Sequence, residues 1–426
     1  MADGTREAIV TKQVGRSNFF YGYVIVIAAC WIMAVSWGTN RTFGVFLSPL
    51  SQEFGWTRAG ISGAFTVCMI VLGTISLAVG RLTDRIGPRS LIVACSLFMG
   101  GGFLLCSRVG SLWDLYLFFG VFTGIGMSGA FVPMMSMVAR WFVRRRSLMS
   151  GILSAGPAAG IVLMPLLVTW LIARFGWRTS FVLIGILTFL GLSAAAFFLK
   201  RDPGQIGAMP FGIEKVSGTY ADMQNHGMSL PEAIRTRSFW LLNLISLLDN
   251  LLMNIVIVHI VPYVITLHID PFQAATVLSI AAGVSIPARI GMGWLADRIG
   301  NRRVLFVCLN MAILAFVILF FARGMMALYF FAVVYGIGLW SSAPLLSTFV
   351  ADLFGLKAHG AIFSCTYFFG TIGGGLGPVL VGYLFDLTGS YQQGLLLCLG
   401  ASLMSLIAML CVVSPTIGSN PVSARS

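Results

Sequence analysis

The chain has 426 residues, of which 58% are hydrophobic and 10% charged. Soluble domains keep about a quarter of their residues charged, so this composition excludes a water-soluble globular protein and points to a bilayer as solvent. A net charge of +13 would suggest nucleic acid only on an aromatic-basic surface; here the basic residues fall between apolar runs, where they set membrane orientation.

Residues 1–18 are polar and carry no cleavable apolar core, so a cytoplasmic tail and no signal peptide are expected. A membrane-spanning helix needs about 20 apolar residues. Six such runs follow, at 19–45, 57–80, 90–108, 113–139, 147–173 and 178–199. A polar stretch over 200–237 reads as a cytoplasmic linker. Within it Ser229 and Glu232 have the spacing of a capping box, which predicts a short surface helix. Six more runs occupy 238–263, 272–295, 303–322, 326–350, 360–385 and 391–414, and a cytoplasmic tail is expected over 415–426. The fold expected is all-α, with two six-helix bundles in the membrane.

Orientation follows from the basic residues. With the N-terminus inside and the segments alternating, 20 of the 27 Lys and Arg residues fall inside. Five fall outside (Arg58, Arg108, Arg174, Arg178 and Arg323), and Arg41 and Arg289 stay within or near the bilayer. Such a bias places both termini in the cytoplasm. All eight cysteines lie in apolar stretches without a CxxC pair, and read as small core residues. No cofactor or metal is implied.

The second and eighth runs end in near-copies, GRLTDRIGPR from Gly80 and GWLADRIGNR from Gly293. One offset of 213 residues relates Gly80, Asp84, Arg85, Gly87 and Arg89 to Gly293, Asp297, Arg298, Gly300 and Arg302. It also relates Leu115–Tyr116 to Leu328–Tyr329, Gly160 to Gly373, Pro165 to Pro378, and Gly176 to Gly389. A single offset held across several spans predicts parallel repeats about an axis along the membrane normal. In each copy the glycines allow close approach and a tight turn, and the Asp and Arg sit at a helix end, placed to latch one side shut.

Charge inside a membrane marks function or a structural pair. Arg289 lies about two turns before Asp297, and a guanidinium there can hold a carboxylate by two parallel hydrogen bonds. Asp249 is the acid well inside a span, either a proton carrier or a structural partner. Asn250 and Asn254 share one face of its helix. His259, further along, is a packing residue or a pocket and proton residue, and Arg41 an interfacial anchor or a group at the outer mouth. Tyr335, Trp340, Tyr367 and Phe368 are candidate aromatic walls. The small-residue faces SAGPAAG from Ser154 and GTIGGGLGP from Gly370 suit close helix crossing. Four scattered histidines and the lack of HExxH or GxSxG speak against an enzyme.

The doubled G-x-L-x-D-R-x-G-x-R motif resembles the signature of the major facilitator superfamily. Within it, FFYGYVIV from Phe19, FGVFLSPLSQEFGW from Phe43, ARWFVRRRSLMSG from Ala139 and the eighth-span Arg289 are similar to the monocarboxylate transporters, most to their bacterial homologues. The resemblance implies proton-coupled transport of lactate, pyruvate or a similar short carboxylate across the inner (plasma) membrane by alternating access, with Arg289 holding the carboxylate. A monomer in membrane lipid, without nucleic-acid partners, is expected. Arg41 stands where the family's first-span lysine precedes GVF. Mammalian members of the family carry an Asp one turn before the eighth-span arginine; here Ser285 occupies that position, which leaves Asp249, His259 and Arg41 as proton-coupling candidates. The substrate-binding candidates are Arg289, Asn254, His259, Tyr335, Tyr367 and Phe368. An oxalate–formate type exchanger would need a second buried cation between Ala361 and Phe385, and none occurs there. That exchanger and an amphiphile exporter of the same superfamily are the alternatives.

Overall fold

The computed structural model describes residues 20–212 and 227–413, without the side chains of Arg58, Ala59, Asp84, Pro271, Phe272 and Ala275. The expected tails over 1–18 and 415–426, and the middle of the linker, lie outside the described residues.

Among the described residues the regular structure is helical. The first span runs through Gly22–Arg41 and continues, after a break at Thr42, as Phe43–Phe54. It ends nine residues beyond the expected boundary, where Gly55 takes a left-handed conformation. Thr57 then caps Arg58–Ile86, its hydroxyl accepting from Gly60 N at 3.1 Å. Pro88–Cys106 is the third span. The fourth opens on a Ser111–Asp114 capping box, widens to a π-helix over Tyr116–Thr123, and finishes as Phe131–Trp141.

Arg146–Phe197 forms one run of 52 residues. At 1.5 Å per residue it would be about 78 Å long, nearly twice the bilayer with its headgroups. Gly176 divides it, with φ 75° and ψ 166°, so it supplies the fifth and sixth spans. The remaining spans are Arg237–Thr266, Pro271–Ile299, Asn301–Phe321, Met325–Phe354, His359–Thr388 and Gln392–Leu410. Twelve spans result among the described residues. The expected surface helix is Leu230–Ile234, with both arms of the Ser229–Glu232 box made; the Ser229 backbone N–H and hydroxyl hold the Glu232 carboxyl below its ordinary range.

The repeat is legible in the packing. A Cβ on Gly160 would strike the Ala34 carbonyl, and one on Gly373 the Leu247 carbonyl. The fifth span thus packs on the first as the eleventh packs on the seventh, at positions 213 apart. These glycines bring backbones together within each half, as lipid-embedded helices require.

The same rule governs contacts between halves. A Cβ on Gly80 would meet the Gly360 carbonyl at 2.5 Å, and one on Gly293 would meet the Ser147 carbonyl. The second span therefore seals against the eleventh, and the eighth against the fifth, at the motif end. Gly87 and Gly300, at φ 83° and 95°, turn the chain from one span into the next within a single residue. The larger apolar core joins both halves, with Met134 and Trp141 of the fourth span in one cluster with Leu345, Phe349 and Ile362. A second core lies within the C-terminal half alone. The halves are closed together at the motif end.

Candidate substrate site and gate

Arg289 lies in the eighth span, facing the fifth. Its Nη1 donates to the Ser154 carbonyl at 2.5 Å, and its guanidinium lies 5.9 Å from the Trp340 ring centroid. Its Nε is buried without a partner. Among the described residues no carboxylate lies within ion-pair distance of it. Pro157 and Pro287 interrupt the two facing helices nearby and loosen their ladders. Ser285, the position one turn before, is buried and donates to Ala282 O at 2.7 Å. The site thus presents a half-buried cation with spare donors, held in place by an indole and one carbonyl.

The other candidates divide. Tyr367 of the eleventh span stacks on Phe131 of the fourth at 5.1 Å, so it belongs to the seam between halves. Phe368 is half-buried and approaches Gly73 of the second span, where a Cβ would lie 3.8 Å from its ring. Arg41 stacks against Trp37 at 5.9 Å and Phe65 at 5.5 Å, within electrostatic reach of Tyr367. Asn254 donates to Asn250 O at 3.0 Å and is half-buried opposite Gly374, so its amide oxygen remains for another partner.

Tyr335 is wholly buried in the C-terminal core. Its hydroxyl donates to Met253 O at 3.2 Å and its ring stacks on Phe331 at 5.3 Å. It reaches the arginine only through Trp340, 6.0 Å away. Asp249 is buried too, accepting from Ser405 of the twelfth span at 2.9 Å, and so faces the bundle interior. His259 bonds the Pro378 carbonyl through Nε2 at 2.9 Å. The structure does not gather Asp249, His259 and Tyr335 around Arg289.

The second motif copy has a defined job. Asp297 accepts from the backbone N–H of Ser147 at 2.8 Å and of Leu148 at 2.9 Å, capping the fifth span from across the interface. Asn301 accepts from Ser147 Oγ at 2.8 Å and from Thr348 at 3.0 Å, and donates to Asp352 at 2.6 Å. Asp352 also pairs with Arg146 at 3.5 Å. Arg298 lies over Trp294 at 3.8 Å, and in the first copy Arg89 lies over Phe197 at 4.8 Å. Arg85 and Arg302 are exposed. Arg146, Asn301 and Asp352 were not singled out by the motif; their signal is that polar residues at three span ends of an apolar chain need partners.

Among the described residues twelve spans in two like halves meet beside the half-buried Arg289, the architecture of a multi-pass membrane transporter. The chain belongs to the Major Facilitator Superfamily, whose family model matches residues 29–378. It is similar to Monocarboxylate transporter 13 of Rattus norvegicus, at 27% identity over 393 residues, covering 90% of this chain and 87% of the relative. Monocarboxylate transporter 2 of Homo sapiens is 25% identical over 401 residues, covering 89% and 82%. Two solved structures share the fold. The E. coli fucose:proton symporter aligns with a TM-score of 0.69 at 15% identity, over 93% of this chain and 100% of that one. The human organic anion transporter MFSD10 aligns at 0.70 and 14%, over 91% and 99%.

Proposed function

We propose that the protein carries a small monocarboxylate, such as L-lactate or pyruvate, together with a proton across the cytoplasmic membrane by alternating access. The observation that carries this reading is Arg289, a half-buried guanidinium within the spans, with a backbone carbonyl and an indole as neighbours and a buried Nε without a partner. An ion kept in a membrane without a counter-ion is costly, and a carboxylate supplies one in matching bidentate geometry. Relatives named as monocarboxylate transporters support the substrate class. Asn254, Tyr367 and Phe368 complete the proposed pocket, with Trp340 as its wall and Arg41 at its outer end.

The basic residues favour a cytoplasmic location for the motif end, the linker 200–237 and the tails 1–18 and 415–426. Bundles 19–199 and 238–414, acting within one monomer, would rock about the pocket. The described conformation is then the one closed to the cytoplasm, with Asp297 on the fifth span as its latch.

The test is uptake of labelled L-lactate into liposomes under an inward proton gradient. Arg289→Ala removes a charge-assisted bidentate contact of about 3 kcal/mol, an expected loss of about a hundredfold in uptake at low lactate. Arg289→Lys keeps the charge but not the fork, and is expected to fall between. Uptake unchanged in Arg289→Ala overturns the reading.

A further inference from the structure

At the end opposite the motifs the two halves differ where the repeat aligns them. In the N-terminal half Glu53, near the end of the first span, accepts from Trp177 Nε1 at 2.6 Å and from Arg178 Nη2 at 2.8 Å. Arg178 Nη1 also donates to the Ser107 carbonyl at 3.0 Å. One carboxylate thus ties the far ends of the first, third and sixth spans together.

The offset of 213 carries Glu53 to Thr266, Ser107 to Phe320, Trp177 to Ser390 and Arg178 to Tyr391. The backbone repeats there. Gly55 at φ 66° and His268 at φ 60° follow the first and seventh spans, and Gly176 at φ 75° and Gly389 at φ 67° lead into the sixth and twelfth. The side chains do not repeat. All four counterparts, Thr266, Phe320, Ser390 and Tyr391, line a cleft of about 250 Å³.

The cleft has the chemistry of an anion site. Arg323, after the ninth span, lines it, and among the described residues no acid does. Arg323 Nη1 makes one long bond, to the Ala322 carbonyl at 3.4 Å, so most of its five N–H donors are spare. Asp386, the acid near Tyr391, forms no ion pair with it. Ser390 Oγ accepts from Gln392 N at 3.2 Å, which leaves its own hydrogen to donate. Tyr391 packs on Phe385 at 4.5 Å and on Tyr263 at 5.8 Å, forming an aromatic wall.

We infer that this cleft binds a small carboxylate, which supplies from solution the group that Glu53 supplies within the chain in the other half. Arg323 gives the counter-charge, and Ser390 and Gln392 give hydrogen-bond donors. The volume admits a carboxylate of a few carbons with several waters, at about 30 Å³ per water. A carboxylate so held joins the ninth span to the twelfth beside the end of the seventh. The site lies at the far end of one half, apart from Arg289, and does not depend on the transport reading.

The test counts sites by equilibrium binding of labelled L-lactate to the purified full chain in chloride-free buffer. The wild type is expected to bind at two sites, Arg289→Ala and Arg323→Ala each at one, and the double variant at neither. Thr266→Glu places a tethered carboxylate at the counterpart of Glu53. It is expected to lose the same site as Arg323→Ala and to raise the thermal midpoint by a few degrees. Should Arg323→Ala lose its fold, Thr266→Glu decides. Binding in these cleft variants that matches the wild type overturns the inference, as does an Arg289→Ala protein that binds no lactate. Undiminished binding in Arg289→Ala with loss in Arg323→Ala overturns the pocket at Arg289 and leaves the cleft standing. Chloride that displaces lactate from the cleft as readily as unlabelled lactate does overturns the carboxylate class.

Discussion

In the proposed latch at the motif end one carboxylate, Asp297, caps the fifth span across the interface, which makes its removal informative. In Asp297→Ala the backbone N–H groups of Ser147 and Leu148 lose their acceptors at 2.8 and 2.9 Å. Loss of a helix cap costs about 1 kcal/mol, and loss of an anion at a helix N-terminus about 0.5 kcal/mol. Asp297 is exposed, so water replaces part of this, and about 1.5 kcal/mol is an upper figure. The contact is made only while the fifth and eighth spans touch. The whole of the loss therefore falls on the closed state, and the open fraction rises about tenfold at most. Asp297→Asn keeps one acceptor and is expected to give a smaller shift. The assay is pulsed electron resonance between spin labels at exposed Val143 and Arg302, in a background cleared of its eight cysteines. A new long-distance population is expected in Asp297→Ala. An unchanged distance distribution would refute the latch.

Other outcomes follow from the same geometry. Gly373→Ala places a methyl against the Leu247 carbonyl within one half and is expected to lower the thermal midpoint by several degrees, a cost of about 1–3 kcal/mol. Gly293→Ala meets the Ser147 carbonyl between halves. It is expected to leave the midpoint nearly unchanged and to widen the distance between the fifth and eighth spans. Trp340→Ala removes the indole beside Arg289 and is expected to raise the KM for L-lactate about fivefold, from a cation–π contact of about 1 kcal/mol. Asp249→Asn keeps an oxygen for the Ser405 hydroxyl, and gradient-driven uptake is expected to persist; its loss would make Asp249 the proton carrier.

Much of the fold can be read from the chain because the bilayer permits few solutions. Uninterrupted apolar runs give the spans, and the offset between Gly80 and Gly293 marks positions that do pack alike. The boundaries are less legible. The second span runs on to Ile86 and the eighth to Ile299, because charged residues remain helical beyond the hydrocarbon until Gly87 and Gly300 stop them. The extension of the first span to Phe54 is hidden because its polar end, SQEF, reads as a loop.

The site is legible in its charges and not in its contacts. Arg289 stands out as a cation in an apolar span. Its partner, the Ser154 carbonyl, is backbone and leaves no mark in the sequence. Asp249 and Asn250 are neighbours in the chain but lie about 100° apart on a helix. One turns to Ser405 and the other to the eleventh span, where a Cβ on Gly370 would lie 2.7 Å from its amide. Periodicity separates such faces without saying which neighbour each will meet.

The paired seams carry a mechanical consequence. Gly80 on Gly360 and Gly293 on Ser147 are the same contact made twice, on opposite sides of the symmetry axis. A body fastened at two such points cannot swing about either one without straining the other. It parts only if both separate together, like a clamshell whose hinge line crosses the membrane plane between them. The two fasteners nevertheless differ in kind: at Gly360 the meeting is backbone against backbone with the Ser364 side chain, and at Ser147 it is reinforced by Asp297 and Asn301. In the proposed alternating cycle, a symmetric shell with one seam under polar tension would set its opening threshold at a single corner, and tuning that corner would change the rate without touching the pocket.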